Sequence, residues 1–351
     1  MKSRSKRASQ SLKSIKYKIG IEWELVAPKG KSRLDLAEKI KNRVAGTLKP
    51  FFIKQQEPNV KNRKEVFHNL TQGFKVFNEK GDWVCSLVDD ITLQGNFDKS
   101  KPSPDNWYRI ISNDSRLLRL CQNVCLASAN RDKVLEPIAE LYGTQIEPFH
   151  NLLRVCDEDG LAVAAVAPYP GERERACELI TAPLDQNQRE SIQNLLHTAA
   201  ELGFQPGIES ATHIHFDGTE FMTVNVIARL IQLFATHRAA LMKYFGTNPE
   251  NVRIAPQPEK LLNLTHEESF LELPWEEASE AMIHAGAHKY CDLNIFNLLS
   301  PRSQYKTIEF RIIGATMDAE NTWGAARDCL KILEWAKSNE EIPEVLDFTA
   351  I

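Results

Sequence analysis

The 351-residue chain has no run approaching the roughly 18–20 apolar residues that a membrane helix needs, so no membrane span is expected. It has no Cys-x-x-Cys pair. The seven cysteines (Cys85, Cys121, Cys125, Cys156, Cys177, Cys291 and Cys329) are odd in number and scattered. That excludes a disulfide framework and a cysteine zinc site, and fits reduced thiols in a cytoplasmic compartment. No glycine-rich loop follows a strand-like run, which removes support for P-loop and dinucleotide-binding folds. Internal repeats and low-complexity segments are absent. Acidic residues are missing from positions 1–18, which hold Lys2, Arg4, Lys6, Arg7, Lys13, Lys16 and Lys18. With a net charge of −4, the arm's +7 leaves −11 on the remainder. A body that acidic is a poor generic nucleic-acid binder, and the arm reads as a solvated tail. No apolar segment follows it, so it is not read as a secretory signal.

What is present is an ordinary globular composition, 42% hydrophobic and 26% charged, on a chain long enough for a sizeable core. Alternating and helical periodicities succeed one another. Strands are expected at 17–26, 74–77, 83–93, 107–111, 152–156, 161–167, 176–181 and 209–216, with a last hairpin over 290–298 and 306–313. Helices are expected from Ser32 to Gly46 and at 113–129, 132–142, 188–202, 220–245, 276–285 and 319–336. Residues 50–72 and 246–275 read as irregular. Hairpins interleaved with helices give an α+β fold with a largely antiparallel sheet.

The stretch around which this pattern is organised is Gly20-Ile21-Glu22-Trp23-Glu24-Leu25-Val26. In a strand, Glu22 and Glu24 share one face roughly 6–7 Å apart, while Ile21, Trp23 and Leu25 take the other. Neighbouring carboxylates repel unless a cation or donor lies between them. Other strands repeat the pattern: His213 and His215, Glu309 and Arg311, Asp292 and Asn294, and Glu178 alone. A solvated face would carry Lys, Thr, Ser and Gln freely. These faces hold Glu, His, Arg, Asp and Asn, sparsely, among apolar neighbours. If the strands pair, the groups meet on one surface. Glu22, Glu24, Glu178 and Glu309 would supply oxygen ligands for Mg²⁺ or Mn²⁺, joined by His213 and His215. Arg311 would offer a planar fork to phosphate. Phosphoryl transfer needs mainly such positioning and charge neutralisation. A zinc hydrolase is the competing use of His213 and His215, but no third histidine stands at an obvious spacing.

Several of these segments resemble motifs of the amidoligase family, within the glutamine synthetase/glutamate–cysteine ligase superfamily. They are Gly20-x-Glu22-x-Glu24; Val88-Asp89-Asp90-Ile91-Thr92; Cys177-Glu178-Leu179-Ile180-Thr181-Ala182-Pro183; Thr212-His213-Ile214-His215; and Thr307-Ile308-Glu309-Phe310-Arg311 with Gly314-Ala315-Thr316-Met317-Asp318. The resemblance spans roughly 17–336. In this chain Ala315 is inserted between the Gly and Thr of the closing motif, and Thr212 or Ala211 stands where a Gly precedes the histidine pair.

The resemblance implies a curved antiparallel sheet forming a glutamine-synthetase-like funnel, with helices on its outer face. It implies an ATP- and Mg²⁺-dependent ligase joining a small-molecule or peptide carboxylate to an amine or ammonia through an acyl phosphate. Glu22, Glu24, Glu178, Glu309 and His213 would hold metal; His213 and Arg311 would meet the nucleotide phosphates. Arg311, His215 and Asp90 would be catalytic, with Asp90 at the amine and Asp89 as its substitute; Asn294 would hold substrate. Arg253 and Arg302 are loop cations that would reach phosphates. On this reading 1–15 is a disordered arm, 16–338 one catalytic domain with a helical insertion at 95–150, and 339–351 a tail. Two other functions fit similar chemistry: a phosphagen-kinase-like phosphotransferase and a non-catalytic nucleotide- or peptide-binding member.

Overall fold

Ile19, Ile21, Trp23 and Leu25 alternate along the first strand and are all at most 1% exposed, so one face of that strand is core. The computed structural model describes residues 15–56, 68–93, 97–249, 254–338 and 341–347. The strands are β1 (Ile19–Val26), β2 (Thr47–Gln56), β3 (His68–Phe77), β4 (Trp83–Val88), β5 (Tyr108–Ser112), β6 (Glu147–Phe149), β7 (Leu152–Cys156), β8 (Ala162–Pro168), β9 (Ala176–Thr181), β10 (Ala211–Asp217), β11 (Leu293–Asn294) and β12 (Thr307–Gly314). They form one antiparallel sheet in the order β11-β12-β10-β1-β9-β4-β3-β5-β8-β7-β6, with β2 also paired to β3. The sheet does not close on itself.

The edge of β3 away from β2 is shared. Its residues 74–77 pair with β4 and its residues 68–71 with β5. Where those two part, the Gln72 carbonyl would lack a partner. Arg33, fully buried, supplies it: Nε donates to Gln72 O at 3.1 Å. The guanidinium also donates to Glu174 O, Ala176 O and Tyr169 Oη, and lies over the Trp107 ring at 4.4 Å. Asp89 is buried 4.0 Å from Arg33 and 3.8 Å from Arg173.

Helices cover the apolar face. Arg33–Arg43 is opened by a capping box between Ser32 and Asp35, and Ala319–Lys337 by Asp318, which accepts from Glu320 N and Asn321 N. With Gln188–Glu201 and Val224–Phe245 they enclose the main core. Trp23, Trp107 and Trp323 are in it. A smaller core lies under helices Ser115–Val124 and Glu136–Tyr142, against β3, β5, β7 and β8. Among the described residues no helix is long and apolar enough to cross a membrane.

Three sequence expectations are corrected. Residues 47–56 and 68–77 are long strands paired over their whole length, from Thr47 opposite Phe77 to Gln56 opposite His68, because the ladder satisfies the backbone whichever face each lysine takes. The stretch 246–275 contains helices Glu259–Leu264 and Glu268–Leu271, each turning an apolar residue (Leu261, Phe270) into the core. The last hairpin is reduced: β11 has two residues, and Asn294 Oδ1 accepts from Phe296 N to start a helix at Phe296–Leu299.

Candidate active site

Burying Ile21, Trp23 and Leu25 forces Glu22 and Glu24 onto the opposite face of β1, and pairing extends that face sideways. Glu22 is opposite His213 and Gly20 opposite His215 on β10. Glu24 is opposite Glu178 on β9. His215 is opposite Glu309 on β12, and Glu309 is opposite Asn294 on β11. Five strands thus deliver one row of polar groups. A bulge between β10 and β12 adds a residue to β12 at Arg311–Ile312, next to Glu309 and Arg311, which alternation already places on one face.

The groups touch. His213 Nδ1 lies 3.1 Å from Glu22 Oε1 and 3.5 Å from Glu309 Oε1, and its Nε2 lies 3.7 Å from Glu24 Oε1. His215 Nε2 is 3.7 Å from Glu22 and 3.8 Å from Glu309. Arg311 Nη1 donates to Glu309 Oε1 at 2.6 Å and stands 3.4 Å from His213 Nδ1. Glu24 Oε2 accepts from Ala211 N at 2.7 Å. Asn294 donates to Glu309. With one oxygen on Asn294 and the other on Arg311, Glu309 is fixed in place.

Electrostatics divide the acids. Burial pushes Glu22 up, but His213 and His215 outweigh it and hold Glu22 well below the usual carboxylate range. Glu309 is lowered: burial opposes this, and Arg311, then His215 and His213, prevail. His215 is raised, because Glu309 and Glu22 outweigh the burial that disfavours its charge. Glu178 goes the other way. Burial, then Glu22, Asp90 and Glu24, push it well above the carboxylate range. It has no hydrogen-bond or ion-pair partner among the described residues.

This donor set suits a hard divalent cation, whose charge would offset the crowding at Glu178. His213 Nε2 is also buried without a hydrogen bond. As the side chains stand, however, no three His, Cys, Asp or Glu groups among the described residues are arranged to hold a metal ion. The acids are turned onto the imidazoles and Arg311 instead.

Asp90 follows the end of β4, whose Val88 pairs with Glu178, and acts electrostatically on Glu178. Its Oδ1 accepts from Thr92 N at 2.7 Å. Asp89 points into the Arg33–Arg173 cluster, away from this face. Asp292 turns to Arg238 of the long helix, its Oδ2 accepting from Nε at 2.9 Å. Arg302 is exposed on the turn before β12. Arg253 lies outside the described residues. Arg33 went unnoticed in the sequence, where it looks like any first-turn helix cation; its one signal is a position directly after the Ser32 cap, at the start of an apolar-faced helix.

A family model described as "Putative amidoligase enzyme" matches residues 16–333. No curated protein and no solved structure matches the chain.

Proposed function

The chain belongs to the putative amidoligase enzymes, a ligase-type family, and from that premise we propose that the polar face of the sheet is the active site of an ATP- and Mg²⁺-dependent carboxylate–amine ligase. The observation that carries this is the contact set itself: Glu22, Glu24, His213, His215, Glu309 and Arg311, spread over almost 300 residues of sequence, lie within 4 Å of one another in a connected cluster. The face is read as the floor of a glutamine-synthetase-like funnel.

Glu22, Glu24, Glu178 and Glu309 with His213 would hold Mg²⁺ (or Mn²⁺), which would supply charge neutralisation for the nucleotide phosphates. Arg311 is the donor assigned to the transferred phosphoryl group. Its Nη1 is held on Glu309, and its Nε is buried with no hydrogen-bond partner among the described residues. The substrate carboxylate oxygen attacks the γ-phosphorus and ADP leaves, giving an acyl phosphate. The amine nitrogen then attacks the acyl carbon, the C–O bond to phosphate breaks, and phosphate leaves with its electron pair. The nitrogen's surplus proton goes to Asp90. His215, held toward its charged form, steadies Glu22 and Glu309. The seven free cysteines support a reducing, cytoplasmic setting.

The test is nucleotide turnover across pools of amino acids, peptides and amines. ADP with stoichiometric amide and phosphate is expected. AMP would overturn the acyl phosphate, and phosphoryl transfer without phosphate release would make the enzyme a phosphagen-kinase-like phosphotransferase. Binding of nucleotide without turnover would mark a non-catalytic member. Arg311→Ala is expected to lower turnover at least about 100-fold, the scale of losing one preorganised donor.

A further inference from the structure

The polar face continues beyond the acidic cluster. Glu178 pairs with Val88, and the adjoining register places Leu87 opposite Phe74. Alternation then puts Thr71 and Asn69 of β3 on the face of Glu178. Thr71 is opposite Arg109 of β5, and Arg109 is opposite Ala167 of β8. Neighbouring Ile111 is opposite Ala165. The far half of the face therefore holds Arg109 and two neutral polar groups, with Ala165 and Ala167 on one side beside Ile111 and Arg154, and Ile53 and Gln55 of β2 on the other. On strand geometry, Thr71 stands on the order of 12 Å from Glu178.

Two of these groups are unsatisfied. Asn69 and Thr71 are both 0% exposed, and Asn69 Nδ2 and Thr71 Oγ1 have no hydrogen-bond partner among the described residues. A buried donor left unpaired costs about 1–3 kcal/mol, and a sheet centre is an expensive place to keep two. Asn69 Oδ1 accepts from Arg109 Nη1 at 3.3 Å, so both orphans adjoin a guanidinium. Asp90 and Arg109 both act electrostatically on Asp89, which puts the acid and the cation at the same junction between β4 and β5.

The geometry points to an amino-acid subsite here: Arg109, Asn69 and Thr71 receive the carboxylate of the amine substrate while Asp90 receives its ammonium group. The inference rests on the ligase reading and narrows it, making the amine substrate an amino acid, bound as its zwitterion, and not ammonia. Its ammonium first gives one proton to a phosphate oxygen of the acyl phosphate, which frees the lone pair for attack, and the second passes to Asp90. A planar carboxylate accepts from the guanidinium, the amide and the hydroxyl at once, and so satisfies both orphans. The ammonium beside Asp90 lies toward Glu178 and the acyl phosphate.

Binding can be read without turnover. Each of the twenty common amino acids and its C-terminal amide is tested on the full chain by saturation-transfer NMR. At least one amino acid is expected to bind, with its amide at least tenfold weaker. Arg109→Ala is expected to weaken the amino acid at least tenfold and leave the amide unchanged. Thr71→Val, nearly isosteric, should weaken it several-fold with the fold intact. Glu22→Gln should leave binding unaffected. Absence of amino-acid binding, equal binding of the amide, or indifference to both Arg109→Ala and Thr71→Val overturns the subsite. Turnover sustained by ammonia alone, with no amino acid bound, removes the subsite and leaves the ligase. Arg109-dependent binding with no ATP turnover under any condition does the reverse.

Discussion

Two glutamates on neighbouring strands, Glu22 of β1 and Glu178 of β9, do opposite things. Glu22 is held charged by imidazoles, whereas Glu178 sits among Glu22, Glu24 and Asp90, whose repulsion, added to burial, outweighs the pull of Arg311. Replacing them should therefore separate stability from activity. Glu178→Gln removes like-charge crowding and should raise the melting temperature of the metal-free protein, by of order 1 kcal/mol or about 2 °C. Glu22→Gln removes the partner of a buried imidazole and should lower it. Both should abolish turnover. Calorimetry and an ADP-release assay on the same preparations check this; a destabilised Glu178→Gln would mean the carboxylate is already satisfied. Added Mg²⁺ should raise the melting temperature of the wild type and not that of Glu178→Gln, the mass-action signature of a site bound only when folded. Which side chains share a strand face was legible in advance, because period-two alternation names a face. The repulsion at Glu178 was not, since it depends on which strand lies beside which.

Among the elements, the site draws on strands whose apolar halves announce them, and β1, β9, β10 and β12 were all readable to within about two residues. The misreadings have a common cause. β2 and β3 carry Lys49, Lys54, Asn69 and Thr71 on faces that seemed too polar for paired strands, and only the partner strand makes sense of them. The Arg33 junction was hidden for the same reason, as no local pattern reports an unpaired carbonyl at Gln72. Arg33→Met should cost at least about 3 kcal/mol in urea unfolding, because it strands buried acceptors and leaves Asp89 facing Arg173 alone. Arg33→Lys should recover little, since a single ammonium does not reproduce the guanidinium's fork. The end of β12 is equally intolerant. A Cβ at Gly314 would stand 2.0 Å from the Gly246 carbonyl oxygen, so Gly314→Ala should destabilise the end of the strand that carries Glu309 and Arg311.

At the scale of the whole molecule, one sheet serves two cores of unequal size. The smaller, under helices Ser115–Val124 and Glu136–Tyr142, should open first. Amides of β5, β7 and β8 should exchange with solvent well before those of β1, β9 and β10, and hydrogen-exchange mass spectrometry would show it. Equal protection across the sheet would mean that the halves unfold together. The join between them has a further consequence. Among the described residues, strands β5, β8, β7 and β6 join the rest of the sheet through four residue pairs between β5 and β3. Evolution could therefore swap that limb for another, or reshape it by small steps, without disturbing the carboxylates and imidazoles on the far side of Arg33. Relatives sharing the same chemistry would then diverge in which molecules they accept, with their differences concentrated between Tyr108 and Pro168.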